Sequence, residues 1–132
     1  MSSYTLCVEV ALPHEAALVA TRAALADEGF GILTEVDLAA TMKAKLGVDL
    51  PAEVILGACR PALAYQAIRT DPSIATVLPC NVVVRVGEDS TVIEALDPMA
   101  MMGLSDDAAL AGVATDARQR LGAALSTLAG MS

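Results

Sequence analysis

Two runs decide the fold: EVILGACRP at residues 53–61 and LPCNVVVRVGEDSTVIEALDP at residues 78–98. Glu53 to Cys59 is apolar on both faces, which suits a strand in the middle of a sheet. Cys80 to Val86 and Thr91 to Leu96 read as a hairpin turning at Gly87-Glu88-Asp89-Ser90. Between the runs, Pro61 opens a helix to about Asp71, with Leu63, Ala64, Ala67 and Ile68 inward. Asp71-Pro72 ends it, and Ser73 to Pro79 is an apolar connection. Cys59 closes one strand and Cys80 begins the next, and each lies near a proline, Pro61 or Pro79.

Outward from this half, the N-terminal side alternates strand and helix. In Tyr4 to Val10, Leu6, Val8 and Val10 face one way, and Thr5, Cys7 and Glu9 the other, as in a half-buried strand. Cys7 then reads as a small residue on the surface side or at an interface. Pro13 and Glu15 open a helix to about Glu28, stopped by Gly29, with Leu18, Thr21 or Arg22, and Leu25 inward. His14, the single histidine, reads as a solvated side chain in the first turn. Phe30 to Asp37 is a strand with Phe30, Ile32, Thr34 and Val36 on one face and Leu33, Glu35 and Asp37 on the other. Asp37 caps a short helix, Leu38 to Leu46, striped by Leu38, Met42 and Leu46 and stopped by Gly47. Beyond Asp97-Pro98 comes a methionine-rich loop, Met99 to Gly103. Ser105 is the expected cap of the last helix, with Asp106 and Asp107 at its positive end. Its apolar positions are Leu110, Val113, Ala114, Ala117, Leu121, Ala124, Leu125 and Leu128.

The expected order is β-α-β-α-β-α-β-β-α. It predicts an α+β fold, a single five-stranded sheet with helices packed mainly on one face, in a single domain over residues 1–132. The other sheet face is not convincingly polar, which points to self-association as a homodimer.

Composition excludes several functions. The chain has 132 residues and a net charge of −8. Nucleic-acid binding needs clustered cations and, for stacking, aromatics. Only Tyr4, Phe30 and Tyr65 are aromatic, so no nucleic acid is expected. An anionic membrane surface is disfavoured on the same ground, and no apolar run reaches membrane length. The first residues, MSSYTLCVEV, have no basic region and are not read as a signal peptide. Three cysteines in such a chain argue against a disulfide framework and for the cytoplasm.

Catalytic motifs are missing: there is no GxSxG, no phosphate-binding loop and no dinucleotide fingerprint. No catalytic residue is assigned, and the reading leans away from an enzyme. Zinc lacks the familiar ligand spacings. A cuprous site would draw on Met99, Met101 and Met102, but methionine clusters more often fill gaps or line interfaces. No metal or cofactor is assigned. Glu35 and Asp37, about 7 Å apart along one strand face, read as a solvated face or a cap rather than an acidic pair. Arg60, Arg69 and Arg85 read as scattered charges as well as an anion site.

Four segments carry a family resemblance: EGFGILTEVD (28–37), ILGACRP (55–61), LPCNVVV (78–84) and Asp97-Pro98. They fall in the order seen in the uncharacterised domain family numbered 302 in the domain-of-unknown-function series. The chain resembles that family over roughly Val8 to Met102. The resemblance implies a compact α+β fold and dimers, and it brings no established activity. Arg60 stands where asparagine is expected, which puts a cation beside Cys59 and would lower its pKa.

Two functional readings follow. The first is a non-catalytic dimeric domain that binds a small or soft ligand, with Gly57, Cys59, Arg60, Cys80 and Asn81 as the candidate ligand-binding residues. Gly57 would leave space for a ligand or a close neighbour. The alternative is sulfur, redox or soft-metal handling by Cys59 and Cys80. It requires the two strand ends to meet. Antiparallel neighbours would bring the cysteines together, whereas a right-handed crossover to a parallel strand would put them at opposite ends of the sheet.

Overall fold

A computed structural model of the chain describes residues 3–105 and 107–131. Its elements run β1 (Thr5–Val10), α1 (His14–Asp27), β2 (Gly31–Asp37), α2 (Leu38–Leu46), β3 (Glu53–Cys59), α3 (Pro61–Thr70), β4 (Cys80–Val86), β5 (Thr91–Leu96) and α4 (Ala109–Ala129). Two 3₁₀ helices, Pro72–Val77 and Pro98–Gly103, fill the connections. The order of strands and α-helices is the expected one, and the fold is α+β.

The five strands form one sheet in the order β1-β5-β4-β3-β2. Every neighbouring pair is antiparallel. The β3–α3–β4 excursion therefore ends where it began. Ten residues of α3 lead away by about 15 Å, and the 3₁₀ helix Pro72–Val77 brings the chain back with Ile74 buried.

One face of the sheet carries the core. Val54, Leu56 and Ala58 of β3, Val82 and Val84 of β4, and Ile93 and Ala95 of β5 are all buried in one cluster. Leu6 and Val8 extend it onto β1, as the β1–β5 register requires. Helix α1 adds Ala17, Ala24 and Leu25, and α4 adds Leu121, Ala124, Leu125 and Leu128. Thr21, buried within α1, satisfies its hydroxyl on the Ala17 carbonyl at 2.7 Å. Such local back-bonding makes a buried threonine tolerable. His14 is not a free side chain. Its ring Nε2 lies 2.9 Å from the Val84 carbonyl, tying the start of α1 to β4. A carbonyl only accepts, so Nε2 is the protonated nitrogen.

Several local expectations are corrected. In β2 the pairing shifts between Ile32 and Thr34, a bulge at Leu33. The bulge changes which residues share a face. Ile32 stands opposite buried Ala58, and Glu35 stands opposite buried Leu56. Glu35 accordingly pairs with Arg22 of α1, while Thr34 and Val36 fall on the far face. Asp37 caps α2 by accepting from the Ala40 N–H at 2.9 Å. The two carboxylates are thus engaged in separate local tasks. Helix α2 buries no residue, and Leu46 is 69% exposed. In α3, Leu63 and Ala67 are buried but Ile68 faces out. Helix α4 begins after Ala108, with no side-chain cap on that residue. Asp107 accepts from the Ala109 N–H, the role expected of Ser105. Asp106 lies outside the described residues.

The other face of the sheet is mixed. One row across it reads Cys7, Glu94, Val83, Ile55 and Val36 by register. Glu94 accepts from the Thr5 hydroxyl at 2.6 Å and pairs with Arg85 at 2.7 Å. No helix among the described residues is long and apolar enough to cross a membrane.

Candidate functional site

The antiparallel pairing of β3 with β4 sets Cys80 opposite Ala58, beside Cys59. The two strand ends meet, and both cysteines line one recess where the sheet end faces α3 and α4. Cys59, Cys80 and Cys7 are all free thiols. Phe30 enters the recess from the α1–β2 turn, Leu63 from α3, Met101 from the 3₁₀ helix, and Val113 and Ala117 from α4. The walls are almost wholly apolar. They enclose about 40 Å³ open to the centres of water-sized molecules. A single water needs about 10–15 Å³ by that measure, so the space admits a small organic group.

Arg60 is the charged residue at this recess. It precedes α3, and its guanidinium reaches back over the α1–β2 turn. Gly29 makes room for it: a β-carbon there would sit 2.9 Å from Arg60 Nε. Gly29 also has φ +85°, a backbone conformation that other residues adopt only at a cost. On its far side, Arg60 reaches Asp116 of α4 at 4.0 Å. Its Nε is buried and has no hydrogen-bond partner among the described residues. That is an uncommon state for a buried donor.

Arg60 does not activate Cys59. Burial holds the Cys59 thiol above its ordinary pKa. Burial raises Cys80 too, and negative charge on Cys59 would raise it further. Both thiols are therefore protonated near neutral pH and weak as nucleophiles. Cys7 on the opposite sheet face is raised by burial first and by the Glu94 carboxylate second.

Of the five sequence candidates, Cys59, Arg60 and Cys80 line the recess. Gly57 and Asn81 are paired with each other on the opposite face. The space a Gly57 side chain would take is filled by Thr34 and Pro79, so this glycine relieves crowding. Asn81 is exposed. Phe30, Leu63 and Val113 were not among the candidates. Their only sequence signal was membership of apolar stripes, which marks core and pocket wall alike.

The methionines are divided. Met101 lines the recess, Met102 packs on a small cluster of Ala67, Ile74 and Leu110, and Met99 is exposed. No group of three His, Cys, Asp or Glu able to hold a metal ion occurs among the described residues.

A family model described as "Domain of unknown function DUF302" matches residues 6–128. The crystal structure of an uncharacterized conserved DUF302 protein from Bacillus stearothermophilus superimposes with a TM-score of 0.89. That protein is 27% identical, and the match covers 96% of this chain and 99% of the other. No match was found among curated proteins. The Val–Leu–Pro–Cys entry into β4, the glycine-bearing strand β3 and the Asp-Pro after β5 thus sit in a shared fold, and the chain belongs to the DUF302 family.

Proposed function

We propose that this domain is a non-catalytic binding module. It takes up a small, largely apolar molecule in the recess beneath Arg60, between the β3–β4 sheet end and helices α3 and α4. One observation carries the reading: apolar walls from several parts of the chain surround open space, and one of the residues lining it is Arg60, whose buried Nε has no hydrogen-bond partner among the described residues. Preformed apolar pockets with one placed polar group are the usual form of small-molecule sites. The raised pKa values of Cys59 and Cys80 favour binding over covalent chemistry. Three free thiols fit a reducing cytoplasm.

Thiol alkylation tests this reading, with Cys7 as an internal control on the other sheet face. Saturating benzene should slow the reaction of Cys59 and Cys80 with iodoacetamide and leave Cys7 unchanged. Equal rates with and without benzene would overturn it. The adjacency of Cys59 and Cys80 favours a second reading, sulfur handling by the pair. Intact mass of anaerobically purified protein tests that. An added sulfur atom on Cys59 or Cys80 supports it, and an unmodified mass with slow thiols counts against it.

The same module is proposed to act as a homodimer through the open sheet face. Val36, Ile55 and Val83 form an apolar strip there, while Glu94 is neutralised within the chain by Arg85. A second copy would cover that strip without burying an unpaired charge.

A further inference from the structure

A second apolar cavity, of about 20 Å³, adjoins the recess and is lined by Ile74, Met102 and Leu110. Ala67, Met101, Val113 and Ala114 belong to the walls of both. Three of these four cannot move aside. The alanines have no side-chain rotor, and Val113 is branched at its β-carbon. Met101 is unbranched, with three rotatable bonds. It is the one wall between the cavities that an occupant can displace.

The other end of the recess is short of negative charge. Asp116 serves two cations: it lies 3.2 Å from Arg120 and 4.0 Å from Arg60. Among the described residues Arg60 therefore has one ion-pair partner, shared and at the limit of contact, and its Nε has no acceptor. A guanidinium in that position favours a planar, two-oxygen anion.

We infer that the two cavities form one elongated site for a small carboxylic acid with an unbranched apolar tail. The carboxylate sits at Arg60, and the tail displaces Met101 to enter the cavity lined by Ile74 and Leu110. This rests on the reading of the recess as a ligand site and names the class of molecule it takes. The tail supplies most of the affinity by burial. The head supplies the choice of acid over neutral analogues, because the alternative leaves Arg60 short of acceptors.

Calorimetric titration of the full chain with straight-chain carboxylates from butyrate to decanoate, and with the matching primary alcohols, tests the inference. Affinity should rise about fourfold per methylene until both cavities are filled. Each acid should bind about tenfold tighter than its alcohol. Arg60→Gln should erase that ratio and keep the chain-length trend. Met101→Trp should end the trend at a shorter chain, and Met101→Ala should tighten the longer acids. Unchanged circular dichroism and thermal melting confirm that each variant is folded. Acids no tighter than alcohols, or affinity independent of chain length, would overturn the inference. If benzene still protects Cys59 and Cys80 in that case, the recess remains a binding site and only the ligand class is wrong. If protection is also absent, both readings fail.

Discussion

Arg60 and Glu94 are both arginine–carboxylate sites, and they behave differently because of what surrounds them. Arg60 lies against Gly29 and reaches Asp116 only at 4.0 Å, whereas Glu94 is held by Thr5 and Arg85 at close range. The Glu94 carboxyl is consequently held below its usual range, by the Thr5 hydrogen bond first and Arg85 second. A depressed carboxylate pKa adds stability that is complete above the unfolded value, about 4.3, and is lost as pH falls through the folded value. Thr5→Val should therefore raise the Glu94 pKa in a carboxyl-carbon NMR titration. It should cost about 1 kcal/mol near neutral pH, and the difference from wild type should close once Glu94 is protonated in both. A constant difference at all pH values would contradict this account. At this scale the sequence placed Arg60 next to Cys59 and left open whether Cys80 adjoins them. It did not reveal the Arg60–Gly29 or Arg60–Asp116 contacts, because both are made by chain segments distant in sequence.

Among the elements, α2 and β2 show how far local signals reach. The bounds of α2 were legible because an Asp37 cap and a terminal Gly47 are local chemistry. Its lack of burial was not, since a stripe at helical spacing tells which residues align and not whether anything covers them. With no buried residue to anchor it, α2 depends on its cap. Asp37→Ala should lower stability by about 1 kcal/mol. It should also speed amide exchange in Leu38–Leu46 more than in β3, and equal acceleration in both would show that α2 does not open independently. The β2 bulge was illegible for a different reason. Simple alternation fits the same residues, and only the pairing with β3 exposes the extra residue at Leu33. Helix α4 was the opposite case: all eight of its expected apolar positions are buried or line the recess. Its long stripe leaves a single inward direction.

For the molecule as a whole, antiparallel pairing of β3 and β4 is what brings Cys59 and Cys80 to one recess. Sequence left both arrangements open, because α3 could have carried the chain to either end of the sheet. Ile74 decides it in the structure: its burial folds the returning 3₁₀ helix back beside α3. The opposite sheet face then becomes available for a second copy. Sedimentation at micromolar concentration should give twice the chain mass, and Ile55→Lys should weaken association at least about tenfold while leaving the fold intact. A wild-type mass of one chain would remove the dimer from the account and leave the recess untouched. Whether the recess takes a ligand at all is decided by side-chain methyl NMR during titration with benzene. Binding in the recess should give saturable shifts at Met101, Leu63 and Val113, with Val36 and Val83 on the far face unmoved. Shifts absent at those three methyls, or equally large on both faces, would contradict it.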